Sequence, residues 1–244
     1  YAGPDGLAAD PAKVEPRIDL GSVSRKLYPC CYFTHRMIAA GRHLYAQRGG
    51  NAVPDGSVIE MTVPKGVMLP LHIVDPNDGT EAKFCAAYTL SAALHQGRVG
   101  LADFEDDSPH RPEIRRLMSM VIIETEPDAG PDRVGVDHGA VHVRLRRGNE
   151  TLAETSVAAH PGSPADPANP AEIGEKIADC LEKYRKDGGT PPATGAFRKE
   201  LRTRLHLPPL RDPATPDGKS DRSRNRTPGQ GAAAANQAPI ERTT

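Results

Sequence analysis

Between Lys26 and His35 the chain reads Lys-Leu-Tyr-Pro-Cys-Cys-Tyr-Phe-Thr-His, which puts a cation, two thiols, two phenols and an imidazole within ten residues. Cys31 and His35, four apart, have the residue types of a thiolate-imidazole pair, in which the imidazole takes the thiol proton and leaves a nucleophile. The same two residues also suit a buried, inert cysteine beside a packed histidine, and Cys-x-x-x-His does not by itself separate the two. Zinc would need a fourth ligand beyond Cys30, Cys31 and His35, and adjacent cysteines fit one tetrahedral ion poorly, so no metal is expected. Pro29 biases its predecessor towards extended backbone. The stretch therefore reads as a loop or strand that feeds a helix beginning near His35, with its polar groups aimed by the junction.

Other polar candidates are fewer. Tyr88 lies in an alanine-rich run and reads either as a core aromatic with a partnered hydroxyl or as an acid-base group. Asp103-Phe104-Glu105-Asp106-Asp107 lacks the alternating ligand spacing of a calcium loop and reads as a solvated acidic turn. His138 and His142 share one face of any strand that holds both, but Arg144 and Arg146 beside them point to an exposed polar face. No Gly-rich phosphate loop, nucleophile elbow or His-Glu-x-x-His motif occurs.

The elements that must position these groups follow from periodicity. Thr34 is a candidate N-cap for a helix carrying Met37, Ile38, Gly41, Leu44 and Tyr45 up to Gly49-Gly50. Ile59, Met61 and Val63 alternate as in a half-buried strand. Asp78 and Glu81 resemble a capping box opening a helix from Glu81 to Gln96, expected to be central because its alanines allow close packing. A charged helix over about 112–120 runs into the strand Val121–Thr125. Val141, Val143 and Leu145 alternate with His142, Arg144 and Arg146, and Gly148-Asn149 then turns the chain into a second strand over 151–157. Asn169-Pro170-Ala171-Glu172 combines N-cap, first-turn proline and capping glutamate for a helix with an apolar stripe at Ile173, Ile177, Leu181 and Tyr184. A last helix is expected over about 195–205.

These elements imply an α+β domain in which an antiparallel sheet of about four strands is covered by helices. Residues 1–17 read as a linker, 18–210 as the domain and 211–244 as a disordered tail, since the tail has no aromatic residue. With 244 residues, 23 Gly, 24 Pro and a net charge of -1, neither nucleic acid nor an anionic membrane is an expected partner. No run approaches the ~18 apolar residues of a membrane helix. Four cysteines without paired spacing suggest reduced thiols and a cytoplasmic protein.

KLYPCCYFTH followed by a helix, then EAKFCAAYTLSAALHQGRVGLADFEDD, then HRPEIRRLMSMVIIETEP, resemble in order the C-terminal domain of the MmgE/PrpD family, over about residues 10–207. That family includes 2-methylcitrate dehydratase and cis-aconitate decarboxylase. The resemblance implies a smaller α+β domain facing a larger helical one, often in homodimers, with the active site between them. It implies lyase or epimerase chemistry on small di- or tricarboxylates without an organic cofactor or Fe-S cluster.

By position, Lys26 matches a pocket lysine able to hold a carboxylate and stabilise charge as a neighbouring carbon loses its proton. Tyr88 matches a cleft tyrosine, so the resemblance assigns it catalysis alongside Lys26. His35 matches a histidine next to the pocket of some relatives. Cys31 stands where decarboxylase-like members carry a histidine, a departure that argues against decarboxylation. Lys26, Cys31 and His35 are thus the implied substrate-binding set. Tyr1 falls roughly where the interdomain linker would lie, so the chain is expected to act only with a helical-domain partner. The alternative is a non-catalytic domain that binds a carboxylate or a protein partner.

Overall fold

The structure, a computed structural model, describes residues 23–126, 139–190 and Thr203. All but Thr203 lie in one compact unit, Tyr1–Pro191. The readings of a linker over 1–17, a helix over 195–205 and a tail over 211–244 lie outside the described residues, apart from Thr203.

Among the described residues five α-helices and four strands follow one another as α1 (His35–Gln47), β1 (Ser57–Val63), α2 (Gly79–Ala82), α3 (Ala86–Gln96), α4 (Pro112–Met118), β2 (Val121–Thr125), β3 (Val141–Arg147), β4 (Glu150–Val157) and α5 (Pro170–Lys186). The strands form one sheet in the order β2-β1-β3-β4. β3 pairs antiparallel with both β1 and β4, as the alternating pattern and the Gly148-Asn149 turn require. β2 differs from expectation: it pairs parallel to β1, with Ile59 opposite Val121. The connection between them carries α2, α3 and α4, and such a crossover can bring the chain back to run in the same direction. The fold is α+β with a mixed, mostly antiparallel sheet.

Period-two patterning decides which sheet face is covered. Ile59, Met61 and Val63 join Val141, Val143, Leu145, Ala153 and Val157 in a core with Met37, Ala40 and Leu44 of α1 and Leu90 and Leu94 of α3. Each such large aliphatic side chain contributes about 1.5–3 kcal/mol by leaving water. The opposite face is polar, with Arg146 Nε 2.5 Å from Glu60 Oε1, Arg144 paired to Glu154, and His142 exposed. Helix α3 serves two cores, because Tyr88, Ala92 and Ala93 face a second cluster with Leu27, Tyr28, Cys30, Ile38, Phe104 and Ile114. Gly41 makes the α1–α3 crossing close: a Cβ there would lie 2.7 Å from both Ala93 Cβ and the Leu90 carbonyl oxygen.

Two local expectations are revised. Asp78 caps only the four-residue α2, through Glu81 N to Oδ1 at 2.8 Å, and α3 starts afresh where Cys85 Sγ accepts from Tyr88 N. The alanine-rich run is thus broken at Lys83–Cys85. In α5 the capping box forms as expected, with Ala171 N and Glu172 N donating to Asn169 Oδ1. Among the described residues, however, its apolar stripe reaches the core only through Ile173, while Ile177 and Tyr184 are 40% and 52% exposed. No helix among the described residues is long and apolar enough to cross a membrane.

Candidate functional site

The Lys26–His35 stretch is folded by three local devices. Arg25 N donates to the Gly162 carbonyl at 2.7 Å, which ties the entering chain to the loop after β4. Cys31 N donates to the Lys83 carbonyl at 3.0 Å, anchoring the middle to the break before α3. A 3-10 turn over Tyr32–Thr34 then delivers His35 as the first residue of α1. Thr34 flanks that helix, but its hydroxyl donates back to the Cys31 carbonyl at 2.7 Å and caps no helical N–H.

His35 is fully buried, at 0% exposure, between two phenol rings. Its centroid lies 5.0 Å from that of Tyr28, edge-on, and 4.9 Å from that of Tyr32, tilted. Among the described residues neither ring nitrogen makes a hydrogen bond of normal geometry. Burial, reinforced by the positive fields of Lys26, His160 and Lys176, pushes its pKa down to about 3, although the Tyr28 backbone acts in the other direction. The imidazole is therefore neutral at physiological pH, and the positive charges of Lys26 and Lys176 favour an anion nearby. The N-terminal end of α1 adds to that field.

Lys26 is exposed and close enough for its charge to act on both His35 and Cys30. Its carbonyl accepts a hydrogen bond from Lys176 Nζ of α5, so two ammonium-bearing residues meet here. His160 arrives from the loop after β4 and is 1% exposed, with its ring stacked on Tyr32 at 4.6 Å and 14°. Gly162 lets that loop close: it has φ +87°, and a Cβ would lie 2.0 Å from the Arg25 carbonyl oxygen. Sequence reasoning did not single out His160, Tyr32 or Lys176. His160 sits in a His-Pro-Gly loop with no local pattern, and only the tertiary fold brings it to Tyr32.

The remaining candidates lie differently. Cys31 is half-buried against the sheet-side core, and no hydrogen bond joins its thiol to the His35 imidazole among the described residues. Cys30 is buried with Sγ 3.1 Å from Thr34 Oγ1, and burial pushes its thiol up to about 12. A thiol so hard to ionise is inert. Tyr88 is fully buried, with its ring edge-on to Phe104 and its hydroxyl donating to the Asp103 carbonyl. Asp103 in turn pairs with Arg111 at 2.8 Å, and burial lifts the Tyr88 phenol to about 12. Asp103 is therefore part of an internal polar network rather than a solvated acidic turn. Among the described residues no group of three or more His, Cys, Asp or Glu is placed to hold a metal ion.

A cleft of about 270 Å³ between α5 and the Tyr28 side of the stretch is lined by Arg42, Arg98 and Lys176 together with Glu172, Glu175 and Asp179. Neither Lys26 nor His35 forms its wall, and Arg42 there donates to the Tyr28 hydroxyl at 2.9 Å. The His35 cluster thus borders this mixed-charge cleft through Tyr28 and Lys176, with the His35 ring itself outside it.

No curated protein matches the chain. The family model for the MmgE/PrpD C-terminal domain matches residues 28–188. That span takes in Tyr28, Cys31, Tyr32, His35, Tyr88, His160 and Lys176, and begins two residues after Lys26. With two thirds of its length matched, from the Tyr28 loop to the end of α5, the chain belongs to the MmgE/PrpD family and carries that family's C-terminal domain.

Proposed function

We propose that this domain forms one wall of a lyase site for a small di- or tricarboxylate, with 2-methylcitrate dehydratase chemistry as the working case. The observation that carries the reading is the neutral, buried His35 imidazole in a field set by Lys26, Lys176 and His160. Such a field attracts a carboxylate, and an arriving carboxylate raises the pKa of His35, strengthening it as a base when substrate is present.

In this reading Lys26 holds a substrate carboxylate and stabilises the charge that develops when the adjacent carbon loses its proton. His35 accepts that proton. The carbon–oxygen bond on the next carbon breaks, and the hydroxyl leaves as water after taking a proton from an acid on the facing wall. That wall is a helical domain, supplied in the same chain or by another, which excludes water and orients the substrate. Cys31 lines the edge of the site. Tyr88, whose hydroxyl is held by the Asp103 carbonyl, supports the second core; direct donation to substrate would require breaking that bond. The domain is expected to work in the cytoplasm, in a homodimer and without a cofactor.

The test is turnover of 2-methylcitrate, followed by ultraviolet absorbance of the unsaturated product, with and without a helical-domain partner. Lys26→Ala and His35→Gln should each abolish it. No turnover in any combination, with both parts folded, sinks the reading. The buried Tyr88 hydroxyl favours a second one, a domain that binds a carboxylate without turning it over. In that case citrate binds, Lys26→Ala weakens it, and no substrate is consumed.

A further inference from the structure

The stretch holds two phenols and the second core a third, and their hydroxyl groups have different fates. Tyr28 Oη accepts from Arg42 Nη1 at 2.9 Å, and Tyr88 Oη donates to the Asp103 carbonyl. Tyr32 Oη is buried and has no hydrogen-bond partner among the described residues. Its ring contacts that of His35 at a centroid distance of 4.9 Å, and the His35 nitrogens, apart from an interaction with the Tyr28 backbone, make no hydrogen bond of normal geometry among the described residues. Leaving a buried polar group unsatisfied costs about 1–3 kcal/mol, so the Tyr32 hydroxyl beside the His35 ring calls for a polar partner that can meet both rings.

The surroundings define that partner. Lys26 and Lys176 act on His35 as positive charges. A neutral imidazole can offer one N–H and a phenol one O–H, so the pair presents two donors to one acceptor-rich group. A carboxylate fits both the donors and the field. Tyr32 is the least buried of the three rings, half-buried where His35 and His160 lie beneath the surface. The stack on His160 at 4.6 Å fixes the plane from which the hydroxyl points.

We propose that Tyr32 contacts the ligand in this site, donating its phenolic hydrogen to the same small carboxylate that His35 meets. The inference rests on the carboxylate reading above and adds a residue to it: the phenol that touches ligand is Tyr32, and Tyr88 supports the interior.

The experiment uses the 244-residue chain and citrate as probe. Calorimetry gives the citrate affinity of the wild type and of Tyr32→Phe, Tyr88→Phe and Lys26→Gln. In parallel, tyrosine labelled with 13C at Cζ reports each hydroxyl environment. Tyr32→Phe keeps the ring stack and should weaken citrate about tenfold, the size expected for one hydrogen bond to a charged group. Tyr88→Phe should stay within about twofold, as an interior phenol that never meets ligand would. On citrate addition the Tyr32 Cζ resonance should move and those of Tyr28 and Tyr88 should not. Unchanged affinity in Tyr32→Phe with a stationary Tyr32 resonance, while Lys26→Gln still weakens binding, overturns the Tyr32 assignment and leaves the carboxylate site standing. Absence of citrate binding by the folded wild type overturns both.

Discussion

Lowering the pH should destabilise this domain through His35 in a way that a single substitution removes. The imidazole is held at about 3 in the folded state, against 6.5 for the ordinary side chain. Its folded pKa is depressed, so between those values the unfolded chain binds the extra proton, and stability rises with pH through the window. The contribution is fully present above about pH 6.5 and is lost as pH falls towards 3. At pH 5 the loss relative to pH 7.5 works out at about 2 kcal/mol, from ~1.4 kcal/mol per unit over the ~1.5 units below the unfolded pKa. For a domain whose whole stability is about 5–15 kcal/mol, that is a large fraction.

The assay is urea unfolding at pH 5, 6 and 7.5 for the wild type and His35→Gln, with a parallel NMR titration of the imidazole. His35→Gln has its own baseline stability, so the comparison is of slopes against pH. The variant should lose about 2 kcal/mol less than the wild type between pH 7.5 and pH 5. Identical pH slopes, or an imidazole that titrates near 6.5 in the folded protein, would refute the account of a buried, neutral His35 in a positive field.

Three further outcomes follow from packing and burial. Gly41→Ala puts a methyl group 2.7 Å from Ala93 Cβ at the α1–α3 crossing and should cost about 1–3 kcal/mol, read as a lower urea midpoint with unchanged slope. Tyr88→Phe leaves the Asp103 carbonyl without its donor and should cost about 1–2 kcal/mol in the same assay. Under native conditions iodoacetamide should modify Cys180, which is exposed, before Cys31, and should reach Cys30 and Cys85 only on unfolding; mass spectrometry of tryptic peptides orders the four.

The sheet was legible wherever one face had to be apolar. Alternation in β1 and β3 fixed which side chains point inward, since a one-residue slip would reverse them, and Gly148-Asn149 marked the hairpin. Direction within the sheet was not legible for β2, because pairing sense depends on the route taken by α2–α4 and periodicity carries no information about it. The run from Glu81 to Gln96 read as one helix because its propensities are uniformly favourable; tertiary anchoring of Cys31 by the Lys83 carbonyl accompanies the break. The α5 stripe illustrates the opposite limit. Its spacing correctly identified a helix, yet spacing cannot say how much of the stripe meets a surface, and only Ile173 does so among the described residues.

For the site, the sequence marked the dense stretch but not its relations. Lys26 and His35 are near neighbours in the chain, so their association needed little from the fold. His160 and Lys176 belong to elements more than a hundred residues further along, and what brings them back is the Gly162–Arg25 contact and the Lys176–Lys26 hydrogen bond. Those contacts converge on backbone groups of Arg25 and Lys26, so the side chain of Lys26 is not needed to close the cluster and remains exposed for an anion. Under the proposed function, a site closed through main chain while its cation faces solvent is ready for a charged ligand. His35, neutral and beneath that cation, then gains basicity only when a negative charge arrives. In that proposed reading, binding and base strength are coupled through one imidazole.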